Sequence, residues 1–538
     1  MTSVILHPTQ PLVLLPDSTE PERILSYVTP SKVVQQTNGN LAVVARHNSD
    51  TVVRMRQIGI TCPSSISTRY NWPGRLTPFD HQYTCAEFLT LHRKCCNLSD
   101  MATGKTAAAL WAADWLMREG LVRRVLIVAT LSTVVSVWER EMFAVLPHRS
   151  ATILHAARAK RQRMAEENMD DFFIVNHDGL TVVRKILMAR GDIDLVIYDE
   201  ASALKNGQTT RFKELREFVN KTKCRLWLLT GTPAAQSPTD AWALGRLVNP
   251  FDINTNPTGA PTSFVKFRDS CMKQRGPFKW VARPNANLVV RQILQPAIRF
   301  KKEDCIDLPE VVYVDRYASL SPQQERAFAD MKKEFQAQAI TEKGEGVEVT
   351  AINAAVKLSK LLQICSGAAY TDDGRVATFD MPNRLDVVEE LINQAAKKVI
   401  IFIPFRHALE RVQGHLISAG ITCAVMHGGV TGKARDMLIK NFMDAVDPRV
   451  LIAHPKTASH GLNFTCADTT IWFGPTFSAE LYQQANERMA RPGQDSKMAI
   501  VHLSSTEIER KAFQLLYDRH VTQQGLLSLY EETIGVKF

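Results

Sequence analysis

The sequence predicts an α/β protein with two tandem lobes, each built around a parallel sheet. Four short apolar runs lie at 125–130, 172–177, 195–200 and 226–231, separated by stretches of helical period. A second set of four follows at 399–404, 423–428, 450–455 and 470–475. Short apolar runs with polar ends are typical of strands buried on both faces. The repeated set predicts a second, similar lobe, and 538 residues exceed what one core usually supports.

Four regions follow from this division. They are a β-rich N-terminal accessory domain (1–75), a first lobe (76–248), a helical insertion with inter-lobe linker (249–382) and a second lobe (383–538). Over residues 33–60, apolar and polar residues alternate, with turns expected at Asn38-Gly39 and 47–50. This alternation predicts a short antiparallel meander. Helices are expected over His81–Cys95, Ser321–Ala339 and Thr350–Cys365.

Composition excludes several classes of protein. No run of about 18 apolar residues is present, so no membrane-spanning helix is expected. The first residues carry early prolines and no basic region before an apolar stretch, which argues against a secretory signal. The ten cysteines include no Cys-x-x-Cys pair, which argues against a zinc ribbon and favours a reducing, intracellular location. The net charge of +10 indicates, weakly, a polyanionic partner.

A candidate phosphate-binding loop lies at 99–106, before a helical stretch. Gly104 lets the backbone approach phosphate closely, and the amides of the following helix favour an anion. Lys105 is expected to contact the β- and γ-phosphates, and the Thr106 hydroxyl to hold Mg²⁺. Ser99 stands where the usual motif has its first glycine, and a lone Gly-Lys-Thr triplet also fits an ordinary helix start.

Two apolar strands of the first set end in polar residues. Asp199 and Glu200 follow one strand, and in phosphate-loop enzymes such a pair orders Mg²⁺ and positions the attacking water. We assign Asp199 to the metal and Glu200 to the water, the alternative being two solvated acids. The segment Thr230-Gly231-Thr232 follows another strand as a candidate γ-phosphate sensor, or as a plain turn.

Two arginines of the second lobe are candidates for stabilising the transferred phosphoryl group. Arg488 and Arg491 are three residues apart, and on a helix their side chains would share a face. Guanidinium groups suit the charge of a γ-phosphate in transfer. A solvated basic helix face is the alternative, although Gln484 and Gln494 make the pattern more specific.

Taken together, the motif order from about Thr77 to Gln494 resembles that of superfamily-two helicases, and within them the Swi/Snf-type DNA translocases. The matching segments are Pro78–Gln82, SDMATGKT (99–106), VLIVATLSTVVSVWEREM (125–142), YDEASALKN (198–206), LTGTP (229–233), TASHGLN (457–463) and QANERMARPGQ (484–494). Segments 299–304, 308–309, 320–324 and 361–365 resemble features particular to the Swi/Snf branch. Ser202, Ala102-Thr103 and Ser459-His460 depart from the family pattern without removing a catalytic group.

The resemblance implies two RecA-like lobes that bind ATP and Mg²⁺. The implied nucleotide contacts are Gln82, Met101, Ala102, Thr103, Gly104, Lys105, Thr106 and Gly461, with Thr106 and Asp199 on the metal. Lys105, Asp199, Glu200, Arg488 and Arg491 are the implied catalytic residues. The implied nucleic-acid contacts are Thr130, Ser132, Lys205, Asn206, Thr457 and Asn463.

The resemblance also implies double-stranded or branched DNA as partner, with replication, recombination or repair proteins as candidate protein partners and a monomer favoured. A compact phage- or bacterial-like member is expected, located in the cytoplasm near the nucleoid, or in the host cytoplasm if viral. Two other functions stay open, a strand-separating DNA or RNA helicase and an ATP-gated clamp on nucleic acid. The N-terminal region is either a DNA-binding accessory, helped by Arg54, Arg56 and Arg69, or a packing extension of the first lobe.

Overall fold

The computed structural model describes residues 4–16, 21–131, 134–234, 237–249, 263–275, 280–344, 351–370, 375–430, 432–458, 464–518 and 523–536. The chain divides into two compact units, one running to residue 234 and over 238–305, the other mainly Ile306–Phe538. The boundary falls inside the segment 249–382, which we expected to be a region of its own. Its first part instead belongs to the first unit and its remainder to the second. Residues 1–75 likewise belong to the first unit.

A parallel sheet of seven strands forms the centre of the first unit. Its strands are β5 (Lys94–Asn97), β6 (Arg124–Ala129), β7 (Ala151–Ile153), β8 (Phe172–Asn176), β9 (Ile193–Asp199), β10 (Arg225–Leu229) and β13 (Ala297–Ile298). The spatial order is β13-β5-β10-β9-β6-β8-β7, with every pair parallel. A hairpin of β11 (Met272–Gln274) and β12 (Trp280–Ala282) lies outside this sheet.

Helices cover both faces of the sheet. The helices of the first unit are α1 (Pro21–Tyr27), α2 (Ser49–Gln57), α3 (Ser65–Arg69), α4 (Asp80–Leu91), α5 (Lys105–Arg118), α6 (Arg140–Val145), α7 (Arg158–Glu167), α8 (Leu180–Arg190), α9 (Thr210–Thr222), α10 (Ala241–Val248), α11 (Phe264–Cys271) and α12 (Ala286–Ile293). In β9, Leu195 and Ile197 pack into one apolar cluster, whereas Val196 and Tyr198 pack into the other. Because these strands are buried on both faces, their sequences are continuous apolar runs.

The N-terminal β-sheet is confirmed, but the predicted meander is only partly right. Strands β1 (Ile5–Leu6), β2 (Leu12–Leu15), β3 (Ser31–Gln35) and β4 (Leu41–Arg46) form an antiparallel sheet in the order β1-β2-β4-β3. The expected third strand is instead helix α2. The Asn48 side chain accepts a hydrogen bond from the Thr51 amide at 2.8 Å, so this residue caps a helix. Thr51, Val52 and Met55 are then buried on one helical face.

The helix expected over His81–Cys95 was predicted too long. Helix α4 ends at Leu91, and Cys95 and Cys96 lie in strand β5. Both cysteines are fully buried between β10 and β13. The strand is only four residues long and begins with a lysine, so its apolar character is too brief to interrupt a helical pattern.

A parallel sheet of six strands forms the centre of the second unit. Its strands are β14 (Val311–Tyr317), β17 (Lys398–Phe402), β18 (Cys423–Met426), β19 (Val450–Ala453), β20 (Ala467–Trp472) and β21 (Met498–Ser504). The order is β14-β21-β20-β17-β19-β18, again with parallel pairs. The prediction of two α/β lobes with parallel sheets is therefore confirmed. Short strands β15 (Ala368–Tyr370) and β16 (Val376–Thr378) pair separately.

The second unit contains nine described helices. They are α13 (Pro322–Gly344), α14 (Ala351–Cys365), α15 (Pro382–Gln394), α16 (Arg406–Ser418), α17 (Gly432–Asp444), α18 (Pro455–Ala458), α19 (Ala479–Asn486), α20 (Glu507–Tyr517) and α21 (Gln523–Ile534). Buried Arg384 and Glu509 form an ion pair at 2.7 Å, which ties α15 to α20. Among the helices that the structure describes, none is both long and apolar enough to cross a membrane.

Candidate active site

The register of the first sheet brings three strand ends to one edge. Strand β10 lies between β5 and β9, and Leu229 is paired with both Asn97 and Asp199. Because all three strands are parallel, the segments that follow them leave from the same edge, where ligands bind in open α/β sheets. A Cβ atom added to Gly231 would lie 3.5 Å from the Ser99 carbonyl oxygen. The candidate phosphate loop and the 230–232 segment are therefore in close approach.

The loop between β5 and α5 has two residues in the left-handed region. Ala102 has φ 65° and Gly104 has φ 74°. A Cβ atom at Gly104 would lie 1.9 Å from the Gln82 Nε2 atom, so only glycine fits this position without displacing Gln82. The Thr103 hydroxyl donates to the Asp100 carbonyl at 2.8 Å and closes the loop. Helix α5 begins immediately afterwards, at Lys105.

The predicted phosphate contact and the predicted base contact are both hydrogen-bonded to backbone carbonyls of this loop. Lys105 Nζ donates to the carbonyl oxygens of Ser99 and Asp100 at 2.6 and 2.9 Å. Gln82 Nε2 donates to the Thr103 carbonyl at 3.3 Å, and its Oε1 accepts from the Phe79 amide. Met101, in the loop, is buried. Thr106, in the first turn of α5, is half-buried. The sequence predictions for this loop therefore fall on residues that the structure brings together.

The segment at 299–302 is also bonded to this loop, which sequence reasoning did not anticipate. The Asp100 amide donates to the Phe300 carbonyl at 2.9 Å, and the Asp100 carboxylate accepts from the Lys302 amide at 3.3 Å. Arg299 forms an ion pair with the same carboxylate at 3.4 Å. The loop is thus fixed from the side of β13, and the basic run at 299–302 was the only sequence signal.

Both carboxylate oxygens of Asp199 accept hydrogen bonds. The Glu200 amide donates to Oδ1 and the Trp138 indole Nε1 donates to Oδ2, each at 3.0 Å. Each carboxylate oxygen can accept more than one partner, so this arrangement orients the group and leaves it able to bind a cation. Glu200 has φ 49°, which ends β9 and starts the short helix at 201–204. A hard cation such as Mg²⁺ fits the oxygen donors of Asp199 and Thr106.

His177 was missed by sequence reasoning. It directly follows β8, and its Nε2 lies 2.9 Å from the Asp199 carbonyl oxygen. Its ring stacks on Tyr198 at 4.8 Å with an interplanar angle of 10°. Burial lowers the pKa of His177 to about 4, so the neutral ring donates its Nε2 hydrogen to that carbonyl near pH 7. The available signal was its position at a strand end, like that of Asp199.

Arg488 and Arg491 lie beyond the end of a helix, which corrects one expectation. Helix α19 ends at Asn486, and the two arginines lie on the turns that follow. Arg488 is buried, and its Nε donates to the Gln484 carbonyl at 3.1 Å. Arg491 Nε donates to the Glu487 carbonyl at 3.4 Å. Carbonyls at a helix end have no partner within the helix, so these guanidinium groups cap α19.

The predicted nucleic-acid contacts are scattered over both units. Lys205 and Asn206 follow the short helix at 201–204, with Lys205 half-buried and Asn206 exposed. Thr130 follows β6, and its carbonyl accepts from the Val134 amide at 3.1 Å. Thr457 lies in α18, where its hydroxyl donates to the His454 carbonyl at 2.7 Å. Ser132, Gly461 and Asn463 lie outside the described residues.

All ten cysteines are free thiols. Burial raises the pKa of the Cys85 thiol, which lies near the phosphate loop, to about 11, so it is neutral near pH 7. Over the ranges that the structure covers, no cluster of three His, Cys, Asp or Glu residues could hold a metal by itself. A magnesium ion that arrives with a nucleotide needs fewer protein ligands, because phosphate oxygens and water complete its shell.

Comparison with known proteins identifies the family. Residues 81–367 match the SNF2-related domain, and residues 383–493 match the helicase conserved C-terminal domain. An uncharacterized ATP-dependent helicase of Mycoplasma genitalium is 23% identical over 424 residues, which cover 77% of this chain and 38% of that protein. Protein p41 of Acyrthosiphon pisum secondary endosymbiont phage 1 is 25% identical over 444 residues, covering 79% of this chain and 92% of that protein.

Among solved structures, the SWI2/SNF2 ATPase core of Sulfolobus solfataricus in complex with dsDNA is 21% identical, with a TM-score of 0.39. The match covers 87% of this chain and 99% of that chain. The chain spans about two fifths of the length of the Mycoplasma relative. The SNF2-related match alone covers more than half of the present sequence. The chain therefore belongs to the SNF2-related family and also matches the helicase conserved C-terminal domain.

Proposed function

We propose that the chain is an ATP-driven motor that translocates along double-stranded DNA. Family membership supports ATP hydrolysis coupled to DNA, and the order of the seven motif segments supports a motor function. The observation that carries the proposal is the register that sets Leu229 beside both Asn97 and Asp199. It collects the phosphate loop, the acidic strand end and the 230–232 segment at one edge of the first sheet.

The phosphate loop and α5 would hold the triphosphate. The left-handed turn at Gly104 and the amides at the start of α5 favour an anion. Lys105 now donates to two carbonyl oxygens of the loop. On nucleotide binding it would exchange them for phosphate oxygens, which are stronger acceptors because they are charged. Gln82, bonded to the Thr103 carbonyl, would read the base.

Magnesium would be held by Asp199 and the Thr106 hydroxyl, and when bound it neutralises charge on the β- and γ-phosphates. Glu200 would orient the attacking water. The water oxygen forms a bond to the γ-phosphorus, and the bond between that phosphorus and the oxygen that bridges to the β-phosphate breaks. The products are ADP and inorganic phosphate. Arg488 and Arg491 of the second unit would stabilise the charge that spreads over the γ-phosphoryl oxygens.

Nucleic acid would be held mainly through its phosphates, since a motor must tolerate every sequence. Thr130, Lys205, Asn206 and Thr457 are the described candidates for these contacts, with hydroxyl, amide and ammonium donors. Thr130 and Asn206 lie within eight residues of Trp138 and Asp199 respectively. Contacts at these segments could therefore influence the hydrolysis site.

The first test compares ATPase rates of the intact chain with duplex DNA, single-stranded DNA and RNA. We expect the largest stimulation with duplex DNA. We expect Lys105→Ala to lose that stimulation and to keep its melting temperature, because the side chain is only half-buried and its removal opens no core cavity. Lys185→Ala, at an exposed position of α8, is the matched control and should retain full activity.

Each other outcome points to a different function. Stimulation by single strands together with strand separation would identify a helicase instead of a translocase. Binding of nucleic acid without hydrolysis under any condition would identify a clamp. Full activity of Lys105→Ala would show that the phosphate-loop assignment is wrong.

A further inference from the structure

Trp138 makes a side-chain contact to a carboxylate of the proposed hydrolysis site. Its indole is fully buried in the apolar cluster that also contains Ile127, Ile197 and Trp227. From there, Nε1 donates to Asp199 Oδ2 at 3.0 Å. A hydrogen bond to an ionised acceptor is roughly twice as strong as one between neutral groups. The acidic strand end is therefore oriented by a core side chain as well as by its own backbone.

Other buried tryptophans satisfy their N–H groups differently. Trp111 donates to the Pro73 carbonyl and Trp227 to the His92 carbonyl, both at 3.1 Å. Trp115 donates to the Ser65 hydroxyl. Buried indole N–H groups usually find an acceptor, so a hydrogen bond alone would not distinguish Trp138. What distinguishes it is that its acceptor is the carboxylate proposed to hold magnesium.

The element that carries Trp138 also begins at a proposed nucleic-acid contact. Residues 134–139 form a π-helix, a rare conformation that is frequent at functional sites. Its first amide, of Val134, donates to the Thr130 carbonyl at 3.1 Å. Trp138 lies four residues after Val134 in this π-helix, so the side chain that bonds Asp199 follows Thr130 by eight residues. A shift of the Thr130 carbonyl would act, through the hydrogen bond to the Val134 amide, on the first residue of the element that carries the indole.

We propose that Trp138 is a positioning residue that holds the Asp199 carboxylate in the orientation required for magnesium–nucleotide, and that it couples contact of nucleic acid at Thr130 to hydrolysis. The proposal rests on the function proposed above. It makes Trp138 responsible for two measurable properties, the magnesium dependence of nucleotide binding and the stimulation by DNA. Partners of metal ligands typically change metal affinity by about 10- to 100-fold when they are removed.

The test uses the full chain with Trp138→Phe, and Trp227→Phe as the matched control. Both variants lose an indole N–H and the same volume from the same apolar cluster, but only the first loses a bond to Asp199. Binding of a fluorescent, non-hydrolysable ATP analogue is titrated with MgCl₂. We expect Trp138→Phe to raise the half-saturating magnesium concentration about tenfold, and Trp227→Phe to leave it within about twofold of wild type.

Replacement of Trp138 by its benzothiophene analogue removes the N–H and keeps the shape of the ring. This variant replaces Trp138→Phe in the test if Trp138→Phe does not fold. It should show the same rise in the half-saturating magnesium concentration. We expect the stimulation of ATPase by duplex DNA to fall in both Trp138 variants. Equal magnesium curves for wild type and the analogue, or equal shifts at positions 138 and 227, would overturn the proposal.

Failure of the proposed function gives a different pattern. If wild type is stimulated by no nucleic acid, the motor assignment is wrong, while the magnesium titration still measures the positioning role. If wild type is stimulated and both Trp138 variants keep that stimulation together with a normal magnesium curve, the motor assignment stands and the inference about Trp138 is wrong.

Discussion

At the scale of single residues, Gly104 is the position where backbone conformation and the proposed chemistry meet. Its positive φ and the Gln82 side chain above its Cα each exclude a larger residue. The sequence motif predicts a glycine for close approach to phosphate. It does not predict that the space beside the Cα is filled by Gln82, because that contact joins residues 22 positions apart.

We predict that Gly104→Ala weakens ATP binding at least tenfold, since the methyl group would displace Gln82 and distort the loop. The left-handed conformation itself costs an alanine about 1 kcal/mol of stability. Gly120→Ala is the control, because Gly120 has φ 76° but no atom within 4 Å of the added Cβ. Thermal unfolding should show the stability loss in both variants. Isothermal titration should show the loss of ATP affinity in Gly104→Ala only. A comparable loss of ATP affinity in Gly120→Ala would contradict the argument.

At the scale of elements, the strand ends of the first sheet are held together by side chains that the sequence did not reveal. His177 at the end of β8 bonds to the backbone of Asp199 at the end of β9. The Asn97 side chain, fully buried at the end of β5, accepts from the Ser99 amide at 3.1 Å. The first contact joins the ends of two strands, and the second joins a strand end to the loop that follows it, which explains how loops at a sheet edge keep a defined shape.

We predict that the buried His177 lowers the free energy of unfolding as the pH falls. Its pKa is about 4 in the folded protein against 6.5 for a free side chain, because burial disfavours the imidazolium. Between these values the unfolded chain binds a proton that the folded chain does not, so stability is lost as pH falls through this window. The full loss is about 3 kcal/mol.

Denaturant unfolding between pH 4 and 7 would measure this effect as the difference between wild type and His177→Gln. Glutamine keeps a donor for the Asp199 carbonyl but does not titrate. His155→Gln, at an exposed position, controls for the substitution itself. An identical pH profile for wild type and His177→Gln would contradict the prediction.

At the scale of the whole molecule, the N-terminal region is structurally continuous with the first unit. Arg225 of β10 pairs with Asp50 at 2.8 Å, and the Glu119 carboxylate accepts from the Ser49 amide at 3.0 and 3.1 Å. Arg54 and Arg69 donate to backbone carbonyls of Thr29 and His7, within the N-terminal region. These contacts favour the packing role over the DNA-binding role for this region.

We predict that the logarithm of the binding constant for duplex DNA falls linearly with the logarithm of salt concentration, as expected when phosphate contacts release counterions. Lys205→Ala should reduce the slope by about one, for the loss of one phosphate contact. Lys185→Ala removes the same charge from an exposed position of α8 and should leave the slope unchanged. Fluorescence anisotropy at several salt concentrations would measure both slopes, and equal slopes would remove Lys205 from the interface.

The sequence by itself determined the class of fold and the parallel strands, because burial on both faces demands consecutive apolar residues, and it indicated residues 99–106 as a candidate phosphate loop. It mispredicted β5, α2 and the helical setting of Arg488. In these short segments, strand pairing or helix capping determines the conformation, and the periodicity of apolar residues does not. Only the tertiary structure decided that Asp199 is held by Trp138 and His177, and that 299–302 fixes the phosphate loop. These contacts join segments far apart in sequence, and local patterns carry no information about which distant side chain will supply a hydrogen bond.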